Sequence, residues 1–182
     1  PTDLQIKLID FGGATYTSDC HSSIISTRQY RAPEVVMGLR WGAPSDVWST
    51  GCIIAELFLG DLLFDTHGED DAEHLALIFQ ACGHFPRGML KVALGQGKGH
   101  LSGLFHPCDG SFDLNQLHER SRERVRLQLP IAYEVGEEGR RAHLDKLLEG
   151  LLQPDSFLRW TAARASQHRF FGISQNATLE KP

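Results

Sequence analysis

The sequence has 182 residues, of which 41% are hydrophobic and 23% charged, with a formal net charge of −5. That length suffices for one globular domain with a core, the composition excludes a disordered chain, and the mild charge excludes a dominant nucleic-acid-binding surface. No apolar run approaches a membrane span and nothing resembles a signal peptide, so neither a membrane nor direct nucleic-acid contact is expected.

In chain order, "QIKLID" alternates apolar Ile6 and Leu8 with polar neighbours and reads as a short strand entering a turn at Gly12-Gly13. Residues 15–34 are rich in Ser and Thr without helical period and read as one long loop. Pro44-Ser45-Asp46 is a helix start, and "DVWSTGCIIAELFLG" after it is apolar on nearly every face, as in a buried helix, with Gly60 as its stop. The spacing of Leu75, Ile78 and Phe79, with Asp70, Asp71 and Glu73 at the start, predicts a helix over 71–82. Residues 95–115 carry five glycines and a proline and read as an irregular insert. "ERSRERVR" follows as a solvated helix or loop face. Leu144, Leu147, Leu148, Leu151 and Leu152 then repeat at amphipathic-helix spacing up to Pro154. Thr161 can cap a last helix to about Gln167, anchored by Phe170-Phe171, and 172–182 reads as a polar, frayed tail.

The cysteines (Cys20, Cys52, Cys82, Cys108) form no Cys-x-x-Cys pair, and no His-Glu-x-x-His spacing occurs among the nine histidines. A zinc site and a disulfide framework are therefore not expected, a reduced compartment fits, and Cys52 reads as a buried thiol. His100, His106 and Cys108 read as solvated loop residues.

Asp10-Phe11-Gly12 is a common tripeptide alone, but Ala32-Pro33-Glu34 follows 22 residues after Asp10, and Asp46-Val47-Trp48-Ser49 then opens the buried helix. With this order and spacing the chain resembles a eukaryotic protein kinase, from about residue 5 to residue 171. The resemblance implies a mainly α, partial kinase-like fold: a helical C-lobe with a short N-terminal strand, an activation segment at 10–34 and a helical subdomain at 35–171. It implies ATP and Mg²⁺ as cofactors of the complete enzyme, with Asp10 as a metal ligand. Thr27 matches the threonine that positions the catalytic aspartate, and Asp46 the helix-start aspartate that supports the catalytic loop. Glu34 matches a glutamate paired with a C-terminal arginine, for which Arg159 has the matching spacing. Ser22, Ser23 and Ser26 are candidate phosphosites.

Arg31 in "YRAPE" points to the branch holding cyclin-dependent, MAP and CDC-like kinases. "DFGGATY", "LFDTH" and "EHLALIFQACG" are similar to the LAMMER, or CDC-like, kinases, although Leu77-Ile78-Phe79-Gln80 and Gly13 depart from that group's pattern. "TRQYR", "WST" and "GDLLF" also resemble the SR-protein-specific kinases. Both groups imply transfer of the ATP γ-phosphate to Ser/Thr of Arg/Ser-rich splicing factors, with tyrosine specificity left open, in the nucleus and also the cytoplasm. From 42 to 85 the chain has no Lys or Arg but eight acidic residues, so Glu69, Asp70 and Asp71 are candidates for docking basic substrates; loop solvation and helix-start charge explain them equally well.

The sequence contains no Gly-x-Gly-x-x-Gly followed by a strand lysine, and no His-Arg-Asp. In the family these carry ATP binding and the catalytic base, so they are expected upstream in a longer parent and the isolated chain is expected to be inactive. The alternative is a truncated or pseudokinase product that serves as a binding module for basic peptides.

Overall fold

A computed structural model describes residues 6–19, 22, 24–66, 70–95, 101, 103–106 and 109–176, with side chains through residue 172. Ten α-helices are present among them: α1 Pro33–Val36, α2 Ala43–Leu59, α3 Asp71–Cys82, α4 Arg87–Gly95, α5 Glu119–Leu127, α6 Ile131–Glu134, α7 Gly136–Arg141, α8 Leu144–Leu151, α9 Ala162–Ser166 and α10 Arg169–Asn176.

The longest helix, α2, is the organising element. Pro44 sits in its first turn, where the missing N–H is harmless, and Gly60 closes it in the left-handed conformation, its N–H donating to the Glu56 carbonyl. Trp48, Cys52 and Ala55 are buried on it, and α8 packs along it with Leu147, Leu148, Leu151 and Leu152 buried. Gly51 makes this approach possible: a Cβ there would stand 2.8 Å from Leu152 Cδ2 and 3.0 Å from Leu151 Cβ. Trp48 stacks on Phe64 at 5.9 Å, and Phe64 in turn meets His74 of α3 at 6.0 Å.

α3 begins where the sequence predicts because the Asp70 carboxylate accepts from the N–H groups of Ala72 and Glu73. Thr161 likewise caps α9 by accepting from Arg164 N–H. Phe170 packs on the core while Phe171 stays largely exposed, and α10 runs on to Asn176, past the expected boundary at 171.

Three elements differ from expectation. Residues 6–10 form no strand; among the described residues the only β pairing is an isolated bridge between Phe105 and Phe112. A strand exists only through a ladder partner, and Ile6, Leu8 and Ile9 stand exposed. The insert is bounded by α4, which the sequence pattern did not reveal, and is pinned by aromatic packing: Phe105 meets Phe85 at 5.7 Å and Phe112 at 5.2 Å, edge to face. "ERSRERVR" is helical as α5 and is more than a solvated face. Ser121 is buried and donates to Glu73 at 2.5 Å, while Arg124 grips the same carboxylate at 2.7 and 2.6 Å.

No helix among the described residues is long and apolar enough to cross a membrane. The thiols of Cys52 and Cys82 are both free and pushed up by burial, in keeping with inert core cysteines; Cys20, Cys108 and His100 lie outside the described residues.

Candidate active-site cleft

The Asp10-Phe11-Gly12 stretch forms a tight turn, with Phe11–Gly13 in a single 3₁₀ turn and Ala14 N–H donating to the Phe11 carbonyl. Asp10 takes a left-handed conformation (φ 63°), a region that aspartate tolerates better than most residues. Its carboxylate is exposed and engages no hydrogen bond or ion pair among the described residues. Asp10 lines a cleft of about 700 Å³ whose other wall is the start of α2, with Asp46, Ser49, Thr50 and Ile53, and whose rim includes Ser26 and Trp41. The structure thus brings Asp10 and Asp46 to one cleft, from positions 36 residues apart in the sequence.

The segment between them is held by side chains of which the sequence had marked only Arg31, and that for the kinase branch it indicates. Arg31 donates to the carbonyls of Ile25 (3.1 Å) and Ser26 (3.0 Å), and Ser26 sits at φ 64°. Trp41 Nε1 donates to the Ser22 carbonyl at 2.8 Å. The Tyr30 hydroxyl donates to Glu56 at 2.6 Å, which raises its pKa, and Ser49 Oγ donates to the Tyr30 carbonyl at 2.8 Å. Arg28, buried, reaches Asp71 at the start of α3 at 2.9 Å. No local pattern announces the contacts of Arg28, Tyr30 and Trp41, whose partners lie 43, 26 and 19 positions away. Thr27 precedes the Arg28–Tyr30 turn with its hydroxyl exposed and no partner given to it by the described residues.

Glu34 and Arg159 meet as the resemblance implies. Two parallel bonds of 2.7 and 2.8 Å join side chains that are 2% and 0% exposed. Arg159 also donates to the carbonyls of Pro44, Gln153 and Pro154 and lies over the Trp48 ring at 5.1 Å. This pair ties α1, at the end of the activation segment, to the segment before α9 and lies outside the Asp10 cleft.

The docking candidates have structural duties. Asp70 caps α3 and Asp71 holds Arg28, while Asp61 and Asp65 stay exposed on the same acidic stretch. Ser22 and Ser26 are exposed; Ser23 and Glu69 lie outside the described residues. No group of three metal-ligating side chains occurs among the described residues. A lone carboxylate on an exposed turn fits Mg²⁺, which takes one or two protein carboxylates and completes its octahedron with phosphate oxygens and water, and does not fit a self-contained cage.

A family model described as the protein kinase domain matches residues 2–171. The chain is 40% identical over 172 residues to serine/threonine-protein kinase AFC2 of Arabidopsis thaliana, covering 94% of this chain and 39% of that protein. It is 36% identical to dual specificity protein kinase CLK1 of Homo sapiens (93% of this chain, 33% of that protein) and 36% identical to serine/threonine-protein kinase Doa of Drosophila melanogaster (92% and 20%). A crystal structure of a kinase domain superposes with a TM-score of 0.78 at 38% identity, covering 90% of this chain and 46% of the other. The chain spans two fifths or less of the length of these curated relatives.

Proposed function

Because the chain belongs to the protein kinase domain family, we propose that it is the activation-segment and helical part of a protein kinase that phosphorylates Ser or Thr in Arg/Ser-rich protein segments. The observation that carries this reading is the cleft itself, where an unencumbered Asp10 carboxylate faces the α2 start across a segment already held in place. In the reaction, the substrate hydroxyl oxygen attacks the γ-phosphorus of ATP as the bond to the bridging oxygen breaks. ADP leaves with the electron pair, and the hydroxyl proton passes to an aspartate base that this sequence does not contain as a His-Arg-Asp motif. The chemistry supplied by Mg²⁺, when bound, is neutralisation of the phosphate charge, with Asp10 as one ligand.

The residues of this chain orient and exclude. Arg31, Trp41 and Tyr30 hold Ser22 and residues 24–31, and Thr27, exposed within that stretch, is suited to positioning the base. The acidic stretch supports the substrate class: Asp46, Asp61 and Asp65 are exposed and no Lys or Arg occurs between 42 and 85, with Arg124 of α5 near Asp65. Its potential attracts arginine-rich peptides and repels acidic ones. A nuclear location belongs to the same reading.

The test is phosphotransfer from radiolabelled ATP by the kinase that carries this chain, with an Arg/Ser peptide and its Arg→Ala counterpart. The reading expects label on serine and a higher KM for the alanine peptide. Equal KM values refute the substrate class, and absence of label on either refutes the activity.

A further inference from the structure

A second cleft, of about 430 Å³, lies between α4 and the turn that precedes Arg159, and shares no lining residue with the Asp10 cleft. Its apolar lining comes from Leu39, Pro86, Met89, Val92 and Phe157. Phe157 is 96% exposed, the most exposed phenylalanine among the described residues, and Val92 is 51% exposed. One face thus carries both an apolar hollow and an apolar side chain that stands out beside it, a display that marks an interaction surface.

The charged residues that line this cleft are Glu34, Arg40 and Asp155. Glu34 is buried and occupied by Arg159, which leaves one cation and one carboxylate. Arg40 is exposed and enters no hydrogen bond or ion pair among the described residues. Asp155 accepts from Phe157 N–H with one oxygen and enters no ion pair among them, so the two charges line one cleft without pairing with each other. A purely acidic or purely basic ligand satisfies one of them and is repelled by the other. A second copy of the same face satisfies both, because a two-fold axis that runs in the face between the two residues sets each Arg40 opposite the Asp155 of the other copy. The walls are also preformed. Arg159 holds the carbonyls of Gln153 and Pro154 behind the Phe157 turn, and Leu39 and Met89 are anchored on the core. A preformed surface loses little ordering entropy on association.

We propose that this cleft is a self-association site, at which two copies of the chain pack across a two-fold axis. Phe157 of each copy seats against Leu39, Met89 and Val92 of the other, and two reciprocal Arg40–Asp155 pairs flank the contact. Such an interface is isologous and closes at two copies. It uses no residue that lines the Asp10 cleft, and it does not depend on phosphoryl transfer.

The test is sedimentation equilibrium of the full chain over a concentration series, with a monomer–dimer equilibrium expected. Arg40→Glu and Asp155→Arg each make both reciprocal pairs repulsive, and each is expected to raise the dimer dissociation constant about 100-fold, tenfold for each pair. An equimolar mixture of these two variants is expected to dimerise as the original chain does, because one pair is then the original and the other has its signs exchanged. Val92→Asp, which puts a charge on the apolar seat, is expected to stay monomeric. Asp155→Asn keeps an acceptor for Phe157 N–H and is expected to weaken the dimer about tenfold, a second reading of the same pair that leaves the turn intact. Circular dichroism of each variant is expected to match that of the original chain. An original chain that stays monomeric leaves the cleft to another occupant and overturns the proposal. So do charge variants that dimerise alone as tightly as the original, or a mixture that stays monomeric while both members keep the original circular dichroism.

Discussion

Replacing Arg159 by alanine perturbs a fully buried ion pair, and its cost follows from what the guanidinium holds. It makes two bonds to Glu34, at 2.7 and 2.8 Å, and donates to three backbone carbonyls, at 2.8 Å (Pro44), 2.9 Å (Gln153) and 3.3 Å (Pro154). With the side chains 0% and 2% exposed, water cannot take its place without opening the core. An intact buried pair adds little over a well-packed apolar one, because desolvation of both ions offsets their attraction; removing one partner leaves the other charge stranded, at about 3–5 kcal/mol. For a domain of this size each kcal/mol lowers Tm by about 2–4 °C, so scanning calorimetry of Arg159→Ala is expected to show a fall of roughly 6–20 °C. The double variant Glu34→Leu/Arg159→Met removes both charges and is expected to recover part of the loss. An Arg159→Ala melt within about 1 °C of the original refutes the buried-pair account. A double variant no more stable than the single one refutes the stranded-charge reasoning.

Three further outcomes follow from the same geometry. His74 is fully buried, and burial, then Arg28 and Arg31, lower its pKa to about 3, so its neutral form belongs to the folded state. Its contribution is complete above the unfolded value near 6.5 and is lost as pH falls toward 3; urea titrations are expected to show about 2 kcal/mol less stability from this group at pH 5 than at pH 7, a slope that His74→Leu flattens. Gly51→Ala is expected to cost roughly 1–3 kcal/mol in urea unfolding despite alanine's better helix propensity, because the new methyl meets Leu152 and Leu151; a neutral or stabilising result contradicts the close α2–α8 packing. Ser121→Ala removes a donor from the buried Glu73 carboxylate and is expected to cost about 1–3 kcal/mol. An unchanged urea midpoint rejects that contact.

What was legible in the sequence follows from the range of the interactions involved. α3 was legible to the residue because its cap is local: Asp70 and the N–H groups of Ala72 and Glu73 are neighbours in sequence. α8 was legible because five leucines repeat at helical spacing, and α2 because a largely apolar helix between Pro44 and Gly60 has few other fates, although Ile53 and Leu57 leave one of its faces exposed rather than buried as expected. α4 escaped notice since Arg87-Gly88 is a poor helix start and few of its side chains are buried. The helix at α5 was one of two readings, but its inward side escaped because only Ser121 and Val125 are buried on it, and the stabilising partner of Ser121 and Arg124 is Glu73, some fifty positions earlier. The strand at 5–10 failed for the converse reason, since alternation states a preference that only a pairing strand can realise. Asp10 and Asp46 in the cleft, and the Glu34–Arg159 pair outside it, were marked out by motif order and spacing. Arg28, Tyr30 and Trp41, which hold the activation segment, were not, because their partners are set by tertiary contact, and Arg31 was marked only for the kinase branch it indicates.

The central claim is that the Asp10 carboxylate serves phosphoryl transfer and has no structural duty. The direct measurement is single-turnover transfer from radiolabelled ATP to an Arg/Ser peptide by the kinase that carries this chain, compared with its Asp10→Asn form, alongside the Tm of each. The account predicts a rate lower by about 100-fold or more, the equivalent of several kcal/mol of lost charge stabilisation, at an unchanged Tm. An Asp10→Asn kinase that transfers phosphate at the original rate contradicts it.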